Sequence, residues 1–242
     1  MKPALFLSDL HLAPERPKAV AAFLAFASGP ARDAGAVYIL GDLFDWWVGD
    51  DQLSDPFVAT IARALRDISD AGVPLFVGHG NRDFLLGSRF ACATGALLLP
   101  ETRVLDLFAI RTLLCHGDEL CTDDVDYQRY RRRVRNPQLQ RSFLRLPYWA
   151  RRTLASWMRR MSRNENALKA GAIMDVNARA VEEAFRTHEA QRMIHGHTHR
   201  PARHLHDVDG TVRERRVLAD WHDRGQYLLV DSTGVHMREV EG

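Results

Sequence analysis

The chain has 242 residues, of which 46% are hydrophobic and 26% are charged. This length can bury a substantial core without disulfides, and the composition excludes a mainly disordered chain. Because the apolar run at the N-terminus is interrupted at Asp9 and His11, we expect neither a membrane-spanning helix nor a secretion signal. The three cysteines have no metal-knuckle spacing, which favours reduced thiols in a cytoplasmic protein.

The formal net charge of +2 conceals an uneven distribution. Twelve arginines and no acidic residue lie between Arg129 and Arg163, whereas the rest of the chain has 21 basic residues against 31 acidic ones. This asymmetry favours an anionic partner for the basic segment, which could be a lipid, a nucleotide or a nucleic acid. The alternative is a solvated helical face, the usual explanation of a charge run.

Short strands and helices are predicted to alternate in the first half of the chain. The apolar runs typical of buried strands lie at 3–8, 36–40, within 73–83 and, as a pair, within 102–120. Helical spacing of apolar residues occurs at 17–28 and 55–72, the second helix starting after Ser54 or Asp55 as the capping residue. Alternation of this kind, with polar residues at the strand ends, predicts a layered α/β architecture.

The pattern changes to arginine-rich helices from about Asp124 to Ala170, which predicts an inserted cap at 124–170 within a single domain spanning 1–242. Apolar residues in the cap recur on one helical face, at Ala150, Leu154, Trp157, Met158 and Met161. A further helix is predicted at 175–190 with Asp175 as its N-cap. The tail, 203–240, is predicted to form antiparallel strands that close the second sheet.

Five polar turns follow predicted strands and contain the residues suited to chemistry. They are "SDLHL" with Asp9 and His11, "GDLFD" with Asp42, "GNRD" with Asn81 and Arg82, "HGD" with His116, and "HGHTH" with His195, His197 and His199. Because alternate side chains of an extended segment point the same way, Asp9 with His11 and His197 with His199 are each predicted to reach one point. Carboxylates, imidazoles and an amide oxygen together favour Mn, Fe or Zn over a structural zinc knot.

Seven ligands exceed the needs of one ion, so we predict two ions bridged by the carboxylate of Asp42. Arg82 would offer a planar fork of donors to a phosphate group. Aspartates 45, 83 and 118 are predicted to orient ligands rather than to bind metal. The first ion would take Asp9, His11 and one histidine, and the second would take Asn81, His116 and another histidine.

In this order the turns resemble those of the calcineurin-like metallophosphoesterase superfamily. The strings "GDLFDWWVGDD", "GNRDFLLG", "CHGDELCTDD", "RRMS", "IMDVN" and "IHGHTHRP" further resemble the UDP-2,3-diacylglucosamine diphosphatase family of lipid A biosynthesis. The resemblance covers almost the whole chain. It implies an α/β fold, the four-layer αββα sandwich, with an inserted helical cap over a centre of two Mn²⁺ per chain.

The resemblance also assigns roles to single positions. It implies that Asp9, His11, Asp42 and His199 bind one ion, and that Asp42, Asn81, His116 and His197 bind the other. His195 is left without a ligand role. Substrate contacts are implied at Asn81, Arg82, Asp124, Ser162, Asn166, Lys169 and His197, and a direct part in catalysis at Asp42, Asn81, Arg82 and His116.

The implied reaction is hydrolysis of UDP-2,3-diacylglucosamine to UMP and 2,3-diacylglucosamine 1-phosphate, by attack of a hydroxide held by both ions on the α-phosphorus. The amphipathic cap would contact acyl chains and could rest on the anionic inner membrane, which predicts a cytoplasmic protein peripheral to that membrane and no nucleic-acid partner. Two alternatives stay open from the residues alone. One is another phosphodiesterase, nuclease or protein phosphatase of the superfamily, and the other is a non-catalytic binding module with the same fold.

Overall fold

The computed structural model describes residues 1–166, 175–222 and 224–240. Within these ranges the strands form one sheet of six and one of five. The strands are β1 Ala4–Leu7, β2 Ala36–Leu40, β3 Leu75–Gly78, β4 Leu97–Leu98, β5 Thr102–Leu107, β6 Ile110–Cys115, β7 Arg192–His195, β8 Ala202–Val208, β9 Thr211–Val217, β10 Gln226–Asp231 and β11 Gly234–Glu239. The helices are α1 Pro17–Ser28, α2 Pro30–Asp33, α3 Pro56–Asp70, α4 Ser88–Thr94, α5 Val125–Val134, α6 Pro137–Leu144, α7 Tyr148–Asn166 and α8 Ala178–His188.

The six-stranded sheet has the order β11-β10-β1-β2-β3-β4, and the five-stranded sheet has the order β5-β6-β7-β9-β8. In the first sheet β1, β2 and β3 are parallel, with Phe6 opposite Tyr38 and Tyr38 opposite Phe76. In the second sheet β6, β7 and β9 are parallel. Parallel strands have their carboxyl ends at one edge, so each sheet presents several strand ends at a common rim.

Alternating side chains of the central strands divide the core into layers. Leu5 and Leu7 of β1 pack with residues of α1 and α3, whereas Ala4 and Phe6 pack with Leu114 and other residues of the second sheet. A third cluster joins the outer face of the second sheet to α8. The order is therefore helices, sheet, sheet and helix, which confirms the predicted αββα sandwich.

The predicted course of the tail is wrong in its second half. β8 and β9 do belong to the second sheet, but β10 and β11 belong to the first, where β10 pairs antiparallel with β1. The chain therefore crosses from the second sheet to the first between β9 and β10. Leu228 and Val230 of β10 pack between the sheets beside Phe6, a burial that local pattern alone does not specify.

The predicted cap of the last helix also needs correction. Asn177, and not Asp175, is the N-cap of α8, and its side chain accepts hydrogen bonds from the backbone of Arg179 and Ala180. Asp175 instead forms an ion pair with Arg200 at 2.9 Å. For the earlier helix α3 the capping residue is Asp55, one of the two residues predicted.

Helices α5, α6 and the described part of α7 follow β6 in the arginine-rich segment. Neither α5 nor α6 has a buried residue. Large apolar side chains are exposed on α6, at Leu146 after it and on α7: Leu139, Leu144, Leu146, Trp149, Leu154 and Trp157. None of the helices in the described ranges has the length and apolar character needed to cross a membrane.

Candidate metal centre

The predicted ligands lie in five loops at the carboxyl ends of parallel strands. Asp9 and His11 follow β1, Asp42 follows β2, and Asn81 follows β3 of the first sheet. The remaining ligands follow β6 and β7 of the second sheet, namely His116, His197 and His199. The two sheets face each other, so these loops meet at one rim and bring all seven side chains together.

One cluster forms around His199. Its Nε2 lies 3.3 Å from Oδ1 of Asp9 and 3.3 Å from Nε2 of His11. Nδ1 of His11 is 3.8 Å from Oδ2 of Asp42. Asp9, His11 and Asp42 are buried, whereas the side chain of His199 is 35% exposed.

A second cluster forms around the amide of Asn81. Its Oδ1 lies 3.1 Å from Nε2 of His116 and 3.0 Å from Nδ1 of His197. Nε2 of His116 is 3.8 Å from Oδ2 of Asp42. A single oxygen of Asp42 is therefore equally distant from a histidine of each cluster, the central position predicted for it.

The donor atoms of both clusters fit divalent cations. Nε2 of His11 faces Nε2 of His199. A neutral imidazole has one N–H nitrogen and one lone-pair nitrogen, so a hydrogen bond between these two rings would need an N–H on one of the facing nitrogens and a lone pair on the other. Within the described residues, Oδ1 of Asp9 and Nδ1 of His11 are buried and have no hydrogen-bond partner. Such groups are costly to bury unless a ligand satisfies them, and two triads, Asp9 with His11 and His199 and Asp9 with Asp42 and His116, are close enough to share one ion.

Electrostatic coupling within the centre is strong. Burial, followed by the carboxylates of Asp83 and Asp9, raises the pKa of Asp42 to about 7. Burial opposes protonation of His116, but the carboxylates of Asp42 and Asp9 raise the pKa of this imidazole to about 9. Burial and then the charge of His116 lower the pKa of His197 to about 4. Without a cation, the buried carboxylates therefore hold a proton on His116, and metal binding has to displace that proton.

The backbone at the ligands is not extended, and the predicted alternation is therefore wrong as a mechanism. Asp9, His11, Asp42, His197 and His199 all have positive φ, between 48° and 68°. This left-handed conformation is uncommon for residues other than glycine and is frequent at functional sites. The tight turns, and not strand pleating, make the side chains converge.

Two glycines allow loops to approach the carboxylates closely. A Cβ at Gly80 would lie 2.0 Å from Oδ1 of Asp42 and 2.3 Å from its backbone nitrogen. A Cβ at Gly196 would lie 2.1 Å from Oδ2 of Asp9. Both distances are far below contact, so only glycine fits these positions without displacing a ligand.

Other groups hold the ligands from behind. Asp83 accepts hydrogen bonds from the backbone of Asp42, Leu43 and Gly80, and Nδ1 of His116 lies 2.9 Å from the carbonyl oxygen of Leu40. Asp83 thus orients the loops, as predicted. His195, which received no ligand role, is fully buried.

His195 and Arg215 form part of the support below the last loop. Nη1 of Arg215 is 3.1 Å from Nε2 of His195, whose Nδ1 lies 2.9 Å from the carbonyl oxygen of Gly196. Arginine can only donate, so Nε2 accepts and Nδ1 bears the proton. Burial, then Arg215, lowers the pKa of His195 to about 3, which keeps this ring neutral.

The predicted substrate contacts are only partly described. Arg82 donates its backbone N–H to Oδ1 of Asp42, and its side chain is 34% exposed with Nη1 3.8 Å from Asp45. Asp124 is buried and caps α5 by accepting from Tyr127 N. Ser162 and Asn166 lie on the backbone of α7, while their side chains and Lys169 lie outside the described residues.

Three arginines of the basic segment fit neither of the two explanations that the sequence offered, an anionic partner or a solvated helical face. Nε of Arg131 donates to Asp118 at 2.8 Å, and Nη1 of Arg135 is 3.0 Å from Glu101. Arg151 is buried and donates to Asp51 and to the carbonyl oxygen of Val48. These arginines join α5 and α7 to acidic residues of the sandwich, whereas Arg129, Arg132, Arg133, Arg141, Arg145 and Arg152 are exposed.

A further group of possible metal ligands near the centre was not predicted from the sequence. His199, Asp220 and His222 also have ligand atoms close enough to share one ion. Asp220 follows β9, which is parallel to β7 and ends at the same rim. The signal was the string "VLADWH", in which a short apolar run at the end of β9 is followed by Asp220 and His222.

The fold and the paired clusters define a phosphoesterase of the dinuclear type. The chain belongs to the calcineurin-like phosphoesterase family, whose model matches residues 2–201. This match confirms the resemblance to the calcineurin-like metallophosphoesterases.

This chain is also similar to several known proteins. A solved archaeal phosphodiesterase is similar over 98% of both chains, with 12% identity and a TM-score of 0.47. The UDP-2,3-diacylglucosamine hydrolase of Edwardsiella ictaluri is 49% identical over 98% of this chain and 91% of its own length. The enzyme of the same name from Proteus mirabilis is 49% identical over 96% of this chain and 97% of its own.

Proposed function

We propose that this chain hydrolyses UDP-2,3-diacylglucosamine to UMP and 2,3-diacylglucosamine 1-phosphate. The observation that supports this most directly is the central position of Asp42, with Oδ2 at 3.8 Å from both His11 and His116. It gives the two-cluster geometry that a phosphoester hydrolysis needs, in a chain about half identical to two hydrolases named for that substrate.

The proposed centre holds two Mn²⁺ ions. Bound there, the ions would activate a water molecule for attack on the α-phosphorus and neutralise charge on the diphosphate. The first ion is assigned to the cluster around His199 and the second to the cluster around Asn81, with Asp42 shared. The proposed ligands are Asp9, His11, Asp42 and His199, and Asp42, Asn81, His116 and His197.

The chain itself positions the groups around the reacting phosphate. Arg82 is anchored by its backbone N–H to Asp42, which places a partly exposed guanidinium beside the centre. A planar fork of donors there would bind the substrate phosphate and offset negative charge in the transition state. His116 is held by Leu40 O through Nδ1, which leaves Nε2 directed to Asn81 and the centre.

We assign the acyl chains and the remaining polar contacts of the substrate to a cap at 124–170. Exposed leucines and tryptophans of α6 and α7 supply apolar surface, and the exposed arginines supply positive charge. Asp124, Ser162, Asn166 and Lys169 are the proposed cap contacts to the substrate. The same surface supports a cytoplasmic location at the anionic inner membrane, since each basic residue near such a surface contributes about 1 kcal/mol.

A release assay tests the proposed activity. Metal-free protein would be incubated with UDP-2,3-diacylglucosamine, a cyclic nucleotide, single-stranded DNA and a phosphopeptide, with and without added Mn²⁺. We expect UMP release that requires Mn²⁺ and little turnover of the other three substrates. Activity confined to those three would contradict the proposal and favour another phosphoesterase activity.

A sedimentation assay tests the membrane proposal separately. We expect binding to phosphatidylglycerol vesicles at low salt that weakens at high salt and in the double variant Trp149→Ser and Trp157→Ser. Leu205→Ser is the matched control, because Leu205 is 57% exposed on β8, outside the cap. Equal binding by both variants would refute a role for the cap surface.

A further inference from the structure

The loop after β9 places a carboxylate behind His199. Oδ2 of Asp220 lies 3.5 Å from Nδ1 of His199, and on its other side 3.6 Å from Nε2 of His222. The side chain of Asp220 is 23% exposed and that of His222 is 56% exposed. Asp220 therefore lies between an exposed imidazole and the ring that belongs to the first cluster.

The backbone on both sides of Asp220 is fixed to the loops of the centre. Leu218 N donates to the carbonyl oxygen of His195 at 2.7 Å, and Trp221 N donates to that of Asp9 at 3.2 Å. The Trp221 side chain is buried, and its Nε1 donates to Gln226 O at 2.8 Å. These hydrogen bonds fix the position of Asp220 relative to two ligand loops, one from each sheet.

Two kinds of role are possible for this carboxylate, and the chemistry of imidazole separates them. A third cation held by Asp220 and His222 would need the lone pair of His199 Nδ1. A neutral imidazole has one lone-pair nitrogen and one N–H nitrogen. Nε2 faces Asp9 and His11, so if it is the ligand atom, Nδ1 bears the proton and donates to Asp220.

His199 also depends more than His116 does on a carboxylate that would hold its ring in place. The His199 side chain is 35% exposed, against 2% for His116, whose Nδ1 is already held by Leu40 O at 2.9 Å. A ring at the surface can rotate unless something restrains it. Carboxylates that accept the second N–H of a metal-bound histidine fix its tautomer and its orientation.

We propose that Asp220 is a positioning residue that accepts the Nδ1–H of His199 and keeps its Nε2 directed at Asp9 and His11. The proposal rests on the dinuclear centre proposed above. In this role Asp220 acts through His199 and not on the substrate directly. Its effect is on one ion only, the one assigned to Asp9, His11, Asp42 and His199.

Calorimetric titration of metal-free protein with Mn²⁺ tests this role without any activity measurement. We expect two equivalents in the unaltered chain. Asp220→Ala weakens one equivalent about 10- to 100-fold and leaves the other close to its original affinity. Asp220→Asn keeps an acceptor oxygen and restores most of the lost affinity, and His222→Ala retains two equivalents.

Urea unfolding in EDTA accompanies the titration. Asp220→Ala should match the unaltered chain there, because a positioning residue acts on metal binding and not on the metal-free fold. Full affinity for both ions in Asp220→Ala would overturn the proposal, as would weak binding explained by lost stability in EDTA. Loss of a third equivalent in His222→Ala would establish a cation site instead. If the unaltered chain binds no Mn²⁺, the dinuclear centre and the proposed function fail together with this inference.

Discussion

Asp42 illustrates how one residue serves both halves of the centre. Its Oδ1 accepts the backbone N–H of Arg82 at 2.8 Å, which leaves Oδ2 directed to His11 and His116. Burial raises the pKa of Asp42 to about 7, so this carboxyl ionises less readily in the metal-free fold than in the unfolded chain. Ionised Asp42 therefore destabilises the metal-free protein. The negative charge that is proposed to bind both ions thus lowers the free energy of unfolding when no ion is bound.

Asp42→Asn should separate these effects. We expect loss of at least about 100-fold in turnover, because the shared charge of both clusters is removed. In EDTA at neutral pH, the free energy of unfolding should stay equal or rise, since a carboxyl whose pKa is raised on folding is destabilising above its unfolded pKa. Urea unfolding and UMP release measure the two quantities. Asp106→Asn, at an exposed site, is the control, and a marked destabilisation by Asp42→Asn would contradict this account.

Gly80→Ala should damage the centre by steric displacement. Its Cβ would lie 2.0 Å from Oδ1 of Asp42, so the Asp42 carboxylate has to move. We expect loss of Mn²⁺ affinity together with a lower melting temperature, measured by calorimetry and circular dichroism. Gly72→Ala is the matched control: φ is +80° there with open space around it, so only backbone strain of about 1 kcal/mol is expected. Normal metal binding by Gly80→Ala would contradict this prediction, because it would mean that the loops can move apart without displacing the Asp42 carboxylate.

At the scale of elements, the helices of the basic segment are attached to the sandwich by ion pairs and not by a core of their own. Arg131 and Arg135 bind Asp118 and Glu101, and Arg151 binds Asp51. Neither α5 nor α6 has a buried residue, and Tyr127 and Gln128 of α5 add hydrogen bonds to Asp118. Composition revealed the excess of arginine, but which arginines turn inward depends on acids distant in the chain.

Arg151→Met tests the attachment of α7. It removes donors to Asp51, Val48 O and Leu146 O, which should cost about 1–3 kcal/mol and loosen the helix. Limited trypsin digestion should cut the 125–166 segment faster, and urea unfolding should show the lost stability. Arg152→Met, at the exposed neighbouring position, should change neither. Equal digestion of the two variants would mean that Arg151 does not attach the helix.

At the scale of the whole molecule, the centre joins the two sheets. Asp9, His11, Asp42 and Asn81 come from loops of the first sheet, and the three histidines come from loops of the second. The free cysteines are not paired with one another, so no disulfide in the described residues links the sheets. Metal binding should therefore stabilise the sandwich as a whole.

Mn²⁺ should raise the melting temperature of the metal-free protein. At a free Mn²⁺ concentration 100 times the dissociation constant, each site adds about 2.7 kcal/mol to the free energy of unfolding. Each kcal/mol raises the melting temperature by about 2–4 °C at this chain length. Differential scanning calorimetry with increasing Mn²⁺ measures the shift, and Asp42→Asn should remove most of it. A melting temperature independent of Mn²⁺ would contradict the proposed centre.

The sequence by itself determined β1, β2, β3, β5 and β6, the helices α1 and α3, and the seven candidate ligands, because each strand end is a local signal of apolar residues followed by polar ones. It did not indicate α2, α4 or β4, and the αββα class came from the resemblance of its turns to a known family. Only the tertiary structure decided where 226–239 lie, which arginines turn inward, and that Asp220 reaches His199. Each of these depends on contacts between residues far apart in the chain. The left-handed φ of Asp9 and Asp42 was equally hidden, since it is imposed by loops that approach through Gly80 and Gly196.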